Sequence, residues 1–285
     1  MIGDIFYMRI DDFAMCSKIV KAFKKDEFDI FELKSRPQEI IVLNNGSLIV
    51  AGWEDDFVLT LYDQDFKVIK TTNEINGKLI QPTGLAVNTL TNQLFISDID
   101  EHQIIITDFE FNKLNAFGSR GSNNEQFSFP AGLCFLRNSD LYVCDDGNKR
   151  IQIFSKELEF MKTIPLDYHP RRIKVSNTTA FIRGYTSGNI NVFFKTYIYD
   201  LTNWTLKSNY DHHSYYSCIC DLYNYYYIIP FNSKLILYNS EGDKLKEAEV
   251  KIINEISDFD PVGLINLKNN LIIYSQDKRC IRLKL

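Results

Sequence analysis

Pro130-Ala131-Gly132-Leu133-Cys134-Phe135 opens a stretch that runs on through Leu141-Tyr142-Val143-Cys144-Asp145, Arg150-Ile151-Gln152-Ile153-Phe154 and Phe160-Met161-Lys162-Thr163-Ile164. Apolar residues alternate through these short runs, and turn residues such as Asp145-Asp146-Gly147-Asn148 separate them. A period of two belongs to pleated strands, and Asp, Gly and Asn supply the backbone conformations that reverse the chain. The preceding stretch repeats the design with Pro82-Thr83-Gly84-Leu85-Ala86-Val87, Leu94-Phe95-Ile96-Ser97-Asp98, Gln103-Ile104-Ile105-Ile106 and Lys113-Leu114-Asn115-Ala116-Phe117. From Pro82 to Pro130 the period is 48 residues.

Fainter copies begin near Pro37, Pro170, Ser217 and Pro261. A four-stranded unit recurring at roughly 40 to 50 residues is the blade period of a propeller. The expected fold is therefore all-β: one closed propeller of six four-stranded blades occupying 1–285 as a single domain. The last copy stops after three strands, so an N-terminal strand is expected to complete that blade, with Ser17–Phe23 as the candidate. Joining the two ends in one blade removes an exposed sheet edge. Ile5–Ile10 is left over as a surplus strand.

The stretch Phe117-Gly118-Ser119-Arg120-Gly121-Ser122-Asn123-Asn124-Glu125-Gln126-Phe127-Ser128-Phe129-Pro130-Ala131-Gly132-Leu133 closely resembles the signature of the NHL-repeat family, in which a Gly-rich link leads through a Gln-Phe pair to Pro-x-Gly and an inner strand. The resemblance implies a propeller whose relatives serve as protein-binding modules, as single-stranded RNA readers or, more distantly, as metal-dependent lyases and hydrolases. A fold shared by so many functions does not select among them. Two copies match well. Arg183-Gly184 and Tyr274-Ser275 stand where those two have Asp, so these turns are expected to be built differently.

Composition narrows the classes. Hydrophobic residues make up 45% and aromatic residues 14%, which suits a strand-rich core. A net charge of -5 gives no overall attraction to nucleic acid or anionic membrane. The N-terminus lacks a basic-then-apolar leader, and the six cysteines follow no disulfide spacing, so a cytoplasmic, soluble monomer with free thiols is expected. No nucleophile elbow, phosphate loop or dinucleotide fingerprint occurs, so no enzyme activity and no cofactor are expected. Asp211-His212-His213 with Cys218 and Cys220 mixes metal-ligating types, but the spacing is wrong for zinc and no metal is expected.

Lys149, Arg150, Arg171, Arg172 and Arg183, with Tyr185 among them, form the candidate ligand-binding set in blades three and four. Guanidinium groups beside an aromatic ring suit an acidic peptide or the phosphates and bases of single-stranded RNA. The same charges also suit a solvated set pairing with turns. Asp98 and Asp145, at the ends of second strands, are expected to cap the following turns. Tyr210, Tyr215, Tyr216, Tyr223 and Tyr225–Tyr227 crowd one blade, as packing or as binding surface. The function expected is recognition of a protein or peptide by loops on one face, with single-stranded RNA and a metal-dependent hydrolase or lyase as alternatives.

Overall fold

The computed structural model describes residues 28–53, 57–136, 139–176, 178–187, 192–212, 218–222, 225–229, 234–239, 242–249, 261–267, 270–275 and 278–284. These residues form an all-β propeller architecture: six four-stranded antiparallel sheets and one two-stranded hairpin, with no helix among them. In chain order the first sheet holds Arg36–Val42, Leu48–Trp53, Phe57–Tyr62 and Val68–Thr72, and the second Pro82–Asn88, Gln93–Asp98, Gln103–Thr107 and Lys113–Phe117. The third holds Pro130–Leu136, Asp140–Asp145, Arg150–Phe154 and Phe160–Pro165, and the fourth His169–Val175, Thr179–Ser187, Val192–Asp200 and Leu206–His212. Cys218–Leu222, Tyr225–Ile229, Lys234–Tyr238 and Lys244–Glu249 make the fifth. The sixth takes Pro261–Leu267, Asn270–Ser275 and Arg279–Lys284 from the C-terminal end and Phe28–Glu32 from the N-terminal end.

That last pairing corrects one expectation. Phe28–Glu32 lies against Arg279–Lys284, in a register running from Phe28 opposite Leu283 to Glu32 opposite Arg279. Ser17–Phe23 stands about as far before Pro37 as Lys113–Phe117 stands before Pro130, but the sixth sheet is completed by the nearer segment. A link of three residues suffices: Leu33-Lys34-Ser35 here, like Leu166-Asp167-Tyr168 between the third and fourth sheets. Ser17–Phe23 and Ile5–Ile10 lie outside the described residues.

Each clear inner strand begins with Pro and a register shift, as between Pro82 and Gly84 or Pro130 and Leu133. Proline lacks the N–H that a ladder needs, so it is tolerated at a strand's first position. The glycine two residues later serves close approach. A Cβ on Gly84 would come within 2.1 Å of Ala131 O, and one on Gly132 within 2.7 Å of Arg172 Cα, so only a bare backbone lets successive inner strands touch there. Between the second and third sheets Phe127 is fully buried among Phe95, Ile104, Leu133, Val143 and Phe154. It plugs that seam, and its ring stands 6.0 Å from that of Phe154.

Antiparallel pairing puts the links between sheets, and the turns between second and third strands, on one end of the sheets, called here the upper face. The first-to-second and third-to-fourth turns emerge on the lower face.

Candidate functional site

The Asp residues of the two well-matched repeats tie links to blades. Asp145 is fully buried; its Oδ1 accepts the Ser128 N–H at 2.7 Å, and its Oδ2 accepts from Arg150 Nε at 2.6 Å, Asn148 Nδ2 at 2.9 Å and Gln152 Nε2 at 3.2 Å. Arg150 spends its other donors on the carbonyls of Ser122, Asn123 and Gln126 in the preceding link. Asp98 is equally buried; its Oδ1 accepts the longer bonds from the N–H groups of Gln81 at 3.2 Å and Asp100 at 3.3 Å, and the Glu101 N–H and the Gln103 side chain also act on its carboxyl. No hydrogen bond from the described residues reaches Asp98 Oδ2, and burial holds this carboxyl above its ordinary range. Both residues bond the incoming link as well as their turns.

Where the fourth repeat departs from the pattern, the seam is made by packing. Gly184 stands opposite Pro170, as Asp145 stands opposite Pro130. The ring of Tyr168 lies directly over Gly184, is fully buried, and stacks on Tyr197 at 3.7 Å between centroids.

Asp146 brings together two of the predicted ligand-binding residues, Arg171 and Tyr185. It is buried in the turn after Asp140–Asp145. Its Oδ2 accepts from Arg171 Nη1 at 2.7 Å, and its Oδ1 accepts from the Tyr185 hydroxyl at 3.3 Å. His169 Nδ1 is 3.0 Å from both Asp146 Oδ1 and the Asp146 carbonyl oxygen. Both neighbours are acceptors, so Nδ1 carries the proton. The His169 ring stacks on Tyr185 at 4.7 Å and 10°. One carboxylate thus orients an imidazole, a phenol and a guanidinium from the next sheet.

Arg172 points elsewhere. Its Nε lies 2.9 Å from Glu39 Oε2 and its Nη2 donates to the Gln38 carbonyl at 2.6 Å, with Lys174 Nζ 3.7 Å from Glu39 Oε1. Gln38 and Glu39 belong to the inner strand of the first sheet, so this tie links the fourth sheet to a residue 134 positions earlier in the chain. Arg183 is buried in the strand beside it, opposite Arg172. Of the predicted set, Arg171 and Tyr185 meet at Asp146, Arg150 and Arg172 hold other carboxylates, and Lys149 is exposed in the turn at φ 51°.

The upper face also carries residues that sequence reasoning missed. Trp53 is 40% exposed with the Arg36 guanidinium 5.5 Å from its ring centroid. Phe129 is 50% exposed at φ 53°; its N–H donates to His102 Nδ1 at 3.0 Å and its ring leans on the imidazole. Val192 and Phe193, at the start of a third strand, are each about half exposed. Large apolar residues at strand ends facing solvent have no period to betray them. Glu54–Asp56, His213, Tyr215, Tyr216 and Tyr223 lie outside the described residues. Cys218, Cys220 and Tyr225–Tyr227 are placed on strands of the fifth sheet. Among the described residues no three His, Cys, Asp or Glu side chains converge as metal ligands, and no helix is long and apolar enough to cross a membrane.

Residues 127–154, which span the end of the link before the third sheet and the first three strands of that sheet, match the NHL repeat model. The chain is 30% identical over 112 residues to Protein brain tumor of Drosophila melanogaster, a match covering 38% of this chain and 11% of that protein. Over 102 residues it is 28% identical to NHL repeat-containing protein 2 of Homo sapiens, covering 32% of this chain and 14% of that protein. The matched stretches are thus a small part of those proteins' length. Among solved structures, a streptogramin B lyase superposes with a TM-score of 0.62 at 14% identity over 93% of this chain and 99% of the other. The U3-55K structure superposes with a TM-score of 0.62 at 13% identity over 87% of this chain and 77% of the other. At such identities the likeness is one of fold.

Proposed function

We propose that the chain is a non-enzymatic binding platform: one domain in which the six sheets close as a six-bladed ring and the upper face takes a protein or peptide. Closure is supported by the inner strands, each of which packs beside that of the next sheet, and by Pro261–Leu267 packing against Arg36–Val42. The observation that carries the binding reading is the set Trp53, Phe129, Val192 and Phe193, all about half exposed on one face, with Arg36 over the Trp53 ring. Exposed aromatic rings anchored by ordered neighbours are the side chains on which binding energy concentrates. The arginines that would grip phosphates are engaged instead: Arg150, Arg171 and Arg172 each hold a buried carboxylate. In this reading Tyr185 and Lys149 line the binding face, and the arginines brace it.

Selection of peptides from a displayed random library on the immobilised protein tests the reading. Selected peptides should bind free protein, and Trp53→Ala or Phe193→Ala should weaken them by about tenfold or more, while Leu90→Ala on the lower face leaves them unchanged. Peptides indifferent to both upper-face substitutions would sink it. Salt-sensitive binding of a random single-stranded RNA pool, lost with Arg171→Ala, would move the assignment to RNA.

A further inference from the structure

On the lower face, at the seam of the first and second sheets, three turns border an open cleft of about 410 Å³. Leu43, Val87 and Phe109 supply apolar surface, and all three belong to or pack against the core between these sheets. Asn44, Asn45, Asn92 and Glu110 stand around it. We infer that this cleft is a binding site for a small hydroxylated ligand of the saccharide class, separate from the upper face.

The turns are locked before any ligand arrives. Asn45 Oδ1 accepts the Ser47 N–H at 2.9 Å. Asn88 Oδ1 accepts the N–H groups of Leu90 and Thr91. Asp108 accepts from the N–H groups of Glu110 and Asn112 and from Asn112 Nδ2 at 2.7 Å. A site that is already ordered loses little entropy on binding. The side-chain amides of Asn44 and Asn92 are exposed and make no hydrogen bond within the described residues, so each offers both donors and an acceptor to a guest. An open cleft of this size, with an apolar floor and polar side chains along its edge, can seat a small molecule.

Charge selects the ligand class. The Asp108 carboxylate is spent on its own turn, and the Lys70 ammonium donates to the Glu110 carbonyl beside the remaining acid. Counting Lys70 against Asp108 and Glu110, the edge of the cleft keeps one net negative charge, which disfavours anions and leaves the Glu110 carboxylate as an acceptor for hydroxyl hydrogens. Amides and a carboxylate around an apolar floor that includes the Phe109 ring match a sugar ring, which presents hydroxyls at its edge and C–H groups on its face.

Saturation-transfer NMR with glucose, galactose, mannose, N-acetylglucosamine, maltose and cellobiose, beside n-butylammonium as a cationic probe, tests the inference. The expected result is saturable binding of at least one sugar near the millimolar range, weakened about tenfold or more by Asn44→Ala with Asn92→Gly. Glycine at 92 keeps the positive φ of 52° while removing the amide, so the fold should be retained, which thermal unfolding checks. Absence of saturable binding by every sugar, binding indifferent to the double substitution, or binding of n-butylammonium alone would each overturn it. Peptide binding at the upper face is unaffected by any of these outcomes.

Discussion

Replacing Gln103 by Arg should stabilise the protein, because the second sheet contains half of an ion pair that the third sheet completes. Gln103 stands opposite Asp98 as Arg150 stands opposite Asp145. Asp145 has three donors on Oδ2; in Asp98 that oxygen is buried and accepts none from the described residues. A hydrogen bond to a buried charge contributes about 1.5–3 kcal/mol, and ordering a long side chain costs up to about 2 kcal/mol. The carbonyls of Ser122, Asn123 and Gln126 that orient Arg150 have the short hairpin Glu74–Leu79 in their place before the second sheet, so the full effect is not expected. Arginine also replaces the weaker interaction that the Gln103 side chain already makes with Asp98, so the net gain in urea unfolding near neutral pH should be about 1 kcal/mol at most. The pH dependence has a definite sign. Burial raises the folded-state Asp98 carboxyl above its ordinary value, so stability tied to its protonated form is present below that value and is lost as pH rises through the folded one. An arginine partner lowers the folded value, so the gain should grow as pH rises through this window and be small in strong acid. A gain of equal size in an Asp98→Asn background, or no gain near neutral pH, would refute the reasoning.

Other perturbations have equally direct readouts. Arg150→Ala leaves Asp145 buried without its cation and should cost about 3–5 kcal/mol by urea unfolding, whereas the exposed Lys149→Ala should cost less than about 0.5 kcal/mol. Gly132→Ala pushes a methyl into the Arg171–Arg172 backbone and should destabilise by about 1–3 kcal/mol or more, visible as a lower Tm. A double-mutant cycle of Glu39→Gln and Arg172→Met should give a coupling of about 1–3 kcal/mol, and additivity would mean the tie contributes nothing. In alkaline spectrophotometric titration Tyr142 and Tyr197, each pushed up to about 12 chiefly by burial, should ionise well after exposed tyrosines.

The strands and the blade repeat were legible in the sequence because each rests on local information. Alternation over five or six residues makes a strand, Pro-x-Gly marks an inner strand's start, and two copies 48 residues apart betray the repeat. The fate of the arginines was not local. Arg171 meets Asp146 across 25 positions and Arg172 meets Gln38 across 134, so only the juxtaposition of sheets could decide that charges read as a ligand-gripping rim hold carboxylates of their own chain. The N-terminal strand in the sixth sheet was chosen in the same way: several apolar segments resemble an outer strand, and the geometry of a three-residue link selects Phe28–Glu32. Local pattern decides what a segment becomes, since strand periodicity and turn chemistry act within a few residues; tertiary structure decides what each charge and each exposed ring meets, since partners from distant parts of the chain come together only in the folded protein.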